Sequence, residues 1–190
     1  MATRNIVFVR HSQTQVMPDT PSHQWPLSQE GKRRCATLAR HLAPMNLAAV
    51  ITSEEGKARE TGSIVAQDLE LPLFTEKWLH EHDRQGAPFL KEKAFRAALH
   101  TFFAQPQNLV FGTETAEEAL NRFTRGVHAA LEKHPTGNLA IVTHGTVLAL
   151  YVARHSDWEA REFWERLGQP AYVRFRFPEV ALAETAFAIV

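Results

Sequence analysis

Residues 6–12 read IVFVRHS, and residues 139–145 read LAIVTHG. Each is a short run of β-branched and aromatic residues that ends abruptly in a histidine. A strand with one wet face alternates apolar and polar residues. Near-continuous runs such as these suit strands buried on both faces, as in a parallel sheet. Residues 49–52 (AVIT) make a third run of the same kind. In open α/β sheets, ligands sit in the crevice beyond the carboxyl ends of the strands. His11 and His144 are therefore expected to face one pocket, with Arg10 beside them.

Outward from these strands, apolar residues recur at helical spacing. After Ser28, a favoured N-cap residue, Cys35, Leu38, Ala39 and Leu42 fall at i, i+3, i+4 and i+7 until Pro44 stops the helix. Ala58, Thr61, Val65 and Leu69 repeat the pattern before Pro72, and Phe95, Ala98, Leu99 and Phe102 before Pro106. Thr115 with Glu118 reads as a capping box for a helix burying Leu120, Phe123, Val127 and Leu131. A further helix should start at Gly145. Ser156 with Glu159 reads as a second capping box, opening a short helix around Phe163 and Leu167. Residues 172–177 alternate cleanly, with Val173, Phe175 and Phe177 on one face and Arg174 and Arg176 on the other. This strand is expected to pair in a hairpin with residues 185–190. The expectation is a three-layer α/β/α domain, with a mostly parallel central sheet and an antiparallel C-terminal edge.

Composition narrows the function classes. The chain has 190 residues, and 21 Lys+Arg balance 21 Asp+Glu. That length suits a single domain spanning residues 1–190. Zero net charge argues against a general nucleic-acid or anionic-membrane binder. No apolar run approaches the ~20 residues that span a bilayer, and Arg10 and His11 interrupt the first apolar stretch before it resembles a signal peptide. The single cysteine, Cys35, lies on an apolar helix stripe and forms no internal disulfide. A cytoplasmic protein is expected; the sequence does not fix its oligomeric state. There is no glycine-rich P-loop to support nucleotide-driven chemistry.

Two imidazoles, a guanidinium and a helix N-terminus in one crevice describe a receptor for a phosphate-like anion. Five blocks in order carry a more specific signal: VFVRHSQT (7–14), PLSQEG (26–31), SEEGKARETG (53–62), WLHEHD (78–83) and IVTHG (141–145). Together they resemble the histidine phosphatase, or phosphoglycerate-mutase-like, superfamily. The resemblance implies that His11 is a nucleophile forming a phosphohistidine. It makes Arg10 and His144 ligands of the phosphoryl oxygens and Glu81 the proton donor to the leaving oxygen; were Glu81 not the acid, Asp83 would be next in line. Lys57, Ser12, Gly145 and Thr146 complete the expected phosphate-binding set. No metal and no cofactor are implied. The expected partner is a small phosphomonoester substrate.

Three positions depart from the family pattern. Ser12 replaces the glycine after the nucleophile. Met17 falls where an asparagine is expected, leaving Gln13 or Gln15 to supply that contact. Lys57 stands in place of the second clamp arginine, keeping its charge but not its bidentate fork. Arg59 reads as part of a solvated helix face, and so do Lys32, Arg33 and Arg34. His80 and His82 look like metal-ligand material but lack matching ligands elsewhere. Residues 83–115 read as a lid or substrate-specificity insertion, carrying Arg84, Lys91, Lys93 and Arg96 together with Phe89 and Phe95. The leading expectation is phosphomonoester hydrolysis. A phosphoglycerate-type mutase and a non-catalytic phospho-ligand binder are the alternatives.

Overall fold

A computed structural model of the chain describes residues 3–190. In chain order the elements are β1 (Arg4–Arg10), α1 (Gln29–Leu42), β2 (Leu47–Thr52), α2 (Gly56–Asp68), β3 (Leu73–Thr75), α3 (Glu92–Ala104), α4 (Ala116–Lys133), β4 (Asn138–Thr143), α5 (Gly145–Arg154), α6 (Ala160–Arg166), β5 (Ala171–Phe177) and β6 (Ala181–Ala186). The strands form one sheet in the order β3-β2-β4-β1-β5-β6. β3, β2, β4 and β1 pair in parallel, and β5 and β6 add an antiparallel edge.

The apolar runs divide by period two between two cores. Ile6, Phe8, Ala49, Ile51, Leu139 and Ile141 point into the layer of α3 to α6, where Phe123, Val127 and Tyr151 meet them. Val7, Val9, Val50, Ala140 and Val142 point to the opposite layer, against Leu38 and Leu42 of α1 and Val65 of α2. Both faces are covered, so these strands show no polar alternation. β1 leads to α1 on one face, whereas its neighbour β4 leads to α5 on the other. That divergence is a topological switch point, and it opens a crevice beyond the ends of β1 and β4.

Local chemistry accounts for several boundaries. Ser28 Oγ accepts the Gly31 N–H at 2.9 Å and caps α1. Thr115 and Glu118 form a reciprocal capping box at the start of α4. Ser156 and Glu159 do not form the box expected of them. Ser156 Oγ donates to the Val152 carbonyl at 2.7 Å, closing α5, and Glu159 is the N-cap of α6 without a side-chain bond. The final hairpin also differs from expectation. A tight turn at residues 178–180, with Val180 at φ 51°, starts β6 at Ala181, so Tyr172 pairs with Ala186. The apolar tail then leaves the sheet. Phe187 packs on Phe163 at 5.4 Å between ring centroids, and the Ile189 N–H donates to Pro170. β3 was not anticipated; three exposed residues give no readable period. Among the described residues, no helix is long and apolar enough to cross a membrane.

Gly31, on the first turn of α1, lies against the chain just beyond His11. An added Cβ would stand 2.1 Å from the Gln13 carbonyl oxygen, a backbone atom that cannot swing aside. Gly31→Ala should cost about 1–3 kcal/mol through forced displacement of the main chain. In thermal unfolding followed by circular dichroism, this corresponds to a Tm drop of roughly 2–4 °C per kcal/mol. An unchanged Tm would show that the 11–15 loop yields freely.

Candidate active site

The crevice between β1 and β4 is organised around His11. Its backbone N–H donates to the Thr143 carbonyl at 2.9 Å, extending the parallel pairing one residue past β1. Its Nδ1 lies 2.8 Å from the Ser12 carbonyl, which can only accept. The proton is thereby assigned to Nδ1, and Nε2 keeps its lone pair. Burial holds the His11 pKa well below the usual imidazole value, and the neighbouring charges of Lys57 and Arg10 act in the same direction. The ring is therefore neutral, the form in which it can act as a nucleophile.

His144 is the N-cap of α5, and its ring centroid lies 5.2 Å from that of His11. Its Nε2 makes a 2.6 Å hydrogen bond with Ser53 Oγ and lies 3.5 Å from Glu55 Oε1, while its buried Nδ1 has no protein partner. Burial lowers its pKa to about 4, although Glu55 pulls the other way. Arg10 folds over Gly145, where an added Cβ would stand 2.9 Å from Nε; only glycine lets the guanidinium lie there. One Arg10 amino group donates to the Leu167 carbonyl, and the buried Nε is unpaired. Burial draws the Arg10 pKa down to about 10, so the cation persists at neutral pH.

Glu81 arrives from the opposite side. Its carboxylate accepts the N–H groups of Thr146 (3.1 Å) and Val147 (3.2 Å), sitting at the N-terminus of α5. Burial favours its neutral form, but Arg84, His144 and the N–H groups of His82 and Thr146 outweigh that and bring the pKa down to about 2. Arg84 lies 3.7 Å from Glu81, bonds Thr146 Oγ1 at 3.1 Å and stacks on Phe95. The turn carrying Glu81 is pinned from several elements. Thr143 Oγ1 donates to Leu79, and the buried Arg122 donates to the carbonyls of Trp78, His80 and Glu81 while paired with Glu114.

Lys57 is buried in the first turn of α2, its Nζ 2.6 Å from Glu55 and 2.8 Å from the Ser22 carbonyl. Arg59, two residues on, is exposed. The geometry thus gathers Arg10, His11, Lys57, Glu81 and His144 in one crevice. Two expected phosphate ligands are otherwise engaged. The Ser12 hydroxyl donates to Gly31 at 2.7 Å and its N–H to Thr61 Oγ1, so its extra atoms are directed at α1. The Thr146 N–H is taken by Glu81. Met17 and Gln15 are exposed, and the Gln13 side chain meets Ser28 instead. His82 is buried between Phe102 and Phe111, away from His80, whose Nδ1 bonds Lys77. Among the described residues, no group of three or more His, Cys, Asp or Glu side chains is arranged to hold a metal.

The profile of the histidine phosphatase superfamily (branch 1) matches residues 6–179. The chain belongs to that superfamily. It is 24% identical over 179 residues to a probable phosphoglycerate mutase of Cronobacter sakazakii, covering 90% of this chain and 78% of that one. Its fold superimposes on a mycobacterial glucosyl-3-phosphoglycerate phosphatase with a TM-score of 0.78 at 16% identity, covering 98% of this chain and 100% of the other. The α-ribazole phosphatase of Shigella flexneri gives 0.72 at 20% identity, covering 98% and 97%. Members of the superfamily are thus phosphatases or mutases, and the shared fold spans the whole crevice. Ser53, Glu55 and Arg122 contact the candidate site residues, and sequence reasoning passed over them. Ser53 and Glu55 lay inside a quoted motif. An acidic residue two positions before Lys57, in a loop leaving a buried strand, was the available signal for Glu55.

The depressed pKa values make stability depend on pH in a defined direction. The unfolded chain protonates His144 near the ordinary 6.5, whereas the folded chain resists until about 4. Stability is therefore full above pH 6.5 and is lost as the pH falls to about 4, on the order of 3 kcal/mol from this residue. Glu81 adds a second loss between the ordinary 4.5 and about 2. Urea denaturation across this range should show the decline, and His144→Gln should flatten part of it, since His11 titrates in the same sense. An equal slope in the variant would move the effect elsewhere.

Proposed function

We propose that the chain hydrolyses phosphomonoesters of small metabolites through a covalent phosphohistidine at His11 Nε2. The observation that carries this reading is the Nδ1 bond to the Ser12 carbonyl, which presents a neutral imidazole with its Nε2 lone pair beside two cations and a carboxylate. In the first step Nε2 attacks phosphorus, and the bond to the leaving oxygen breaks. Arg10, Lys57 and His144 hold the phosphoryl oxygens, where positioning and cationic stabilisation do most of the work. Glu81 is ionised in the free protein. It takes up a proton as the substrate's negative charge comes close, then delivers it to the leaving alkoxide. In the second step water attacks the phosphohistidine, Glu81 accepts its proton, and the P–N bond breaks to release phosphate. No metal enters this scheme, so a chelator should leave turnover unchanged.

Residues 83–115 act in this reading as the lid that selects the leaving group. Arg84 reaches Glu81 and Thr146 from that segment, and Phe89 meets Trp25 of the facing loop at 6.4 Å between ring centroids. The relatives named above act on different phosphorylated compounds. A panel of sugar, nucleoside and carboxylate phosphomonoesters is therefore the direct way to the substrate. Release of inorganic phosphate distinguishes hydrolysis from mutase activity, which would return an isomeric phosphoester.

His11→Ala should abolish turnover of p-nitrophenyl phosphate with the fold intact, and acid-labile, base-stable phosphoprotein should be trapped only with His11 present. Glu81→Gln should slow alkyl phosphates by about 10²–10⁴-fold and aryl phosphates less, because an acidic leaving group needs less protonation. Substantial turnover by His11→Ala would end the phosphohistidine reading. Lys57→Ala should lower kcat/KM by about ten- to a hundredfold, the worth of a charge-assisted bond realised in the transition state. Arg59→Ala should be silent. The reverse pattern would make Arg59 the clamp.

A further inference from the structure

Glu55 is a largely buried charge in the crevice that the mechanism above does not use. Its Oε2 lies 2.6 Å from Lys57 Nζ, its Oε1 accepts the Glu81 N–H at 2.7 Å, and the same oxygen lies 3.5 Å from His144 Nε2. One carboxylate therefore touches the clamp lysine, the backbone of the proposed proton donor and the second histidine. Glu55 occupies the N-cap position of α2, yet its side chain makes no capping bond. The helix has no need of this carboxylate, and burying it requires a compensating role.

We propose that Glu55 is the internal counter-ion of the phosphate clamp. It holds Lys57 when the site is empty and competes with phosphate oxygens for it when the site is filled, thereby limiting how tightly product phosphate is retained. This inference rests on the reading of the crevice as a phosphoryl site. An ammonium has three donors and no fork. Lys57 has already spent two of them, on Glu55 and on the Ser22 carbonyl. A guanidinium in its place would have donors to spare for a carboxylate and a phosphate together. Lysine must share one point charge, so the Glu55–Lys57 pair and the Lys57–phosphate pair oppose each other. An incoming dianion also meets the Glu55 charge directly, in a buried setting where Coulomb terms are weakly screened. The carboxylate is held in its charged form, well below the usual range, by His144 and Lys57 despite its burial. With a lysine and a neighbouring acid, this crevice trades anion affinity for release.

The test is direct measurement of inorganic phosphate and orthovanadate binding by calorimetry and phosphorus NMR, on the parent protein and on two variants. Glu55→Gln keeps an acceptor for the Glu81 N–H and removes only the charge. Glu55→Leu removes both, so the pair separates charge from hydrogen bonding. Both variants should bind phosphate about tenfold or more tightly than the parent, with a matching fall in the phosphate inhibition constant in p-nitrophenyl phosphate turnover. A purely structural role for Glu55 would weaken binding instead. Unchanged or weaker phosphate binding in whichever variant folds overturns the proposal, while turnover by the parent leaves the phosphatase reading standing. Absence of phosphate and vanadate binding in all three proteins overturns both.

Discussion

The parallel pairing of β1 with β4, carried one residue further by the His11 N–H bond to the Thr143 carbonyl, is the constraint on which the site depends. It places two strand ends side by side at the point where the chain leaves for opposite faces of the sheet. His11 follows one strand and His144 the other, and their rings can be no further apart than adjacent strands allow. Everything else in the crevice is arranged relative to this pair. Arg10 ends β1 and lies over Gly145, at the start of the helix that follows β4. The turn of Glu81 hangs from Thr143 through Leu79.

The crevice sets its charges close against one another, with one cation in excess. Arg10, Lys57 and Arg84 are set against Glu55 and Glu81, and both histidines are kept neutral by burial. Such an arrangement is costly to dehydrate unless each charge has partners, and each carboxylate here has both a cation and backbone N–H donors. The same arrangement leaves Arg10 Nε and His144 Nδ1 without protein partners. Unsatisfied polar atoms in a polar crevice are groups an anion can complete, and two carboxylates nearby keep that completion reversible.

Support for the crevice residues comes from distant parts of the chain. Arg122 lies on α4, far along the sequence from the turn it secures, yet its guanidinium gathers three carbonyls there and pairs with Glu114. Thr61 accepts the Ser12 N–H and returns its own proton to the Lys57 carbonyl, joining the loop after His11 to the helix of Lys57. Catalysis by positioning needs side chains held to within fractions of an ångström. These bonds are what hold them.

The sequence by itself determined the α/β fold class, the two apolar strands that end in histidine, and Arg10, His11, Glu81 and His144 as the candidate groups. These features are written locally. A strand buried on both faces must be a continuous apolar run, a helix must repeat its apolar residues, and the motif blocks keep their order whatever the packing. Only the tertiary structure decided that the Ser12 hydroxyl turns to Gly31, that β6 begins at Ala181, that Ser156 closes α5, and that Glu55, Ser53 and Arg122 belong to the site. The physical reason is common to all of them. A polar side chain chooses its partner among the donors and acceptors that folding brings within about 3 Å, and those come from other elements whose approach no local pattern encodes.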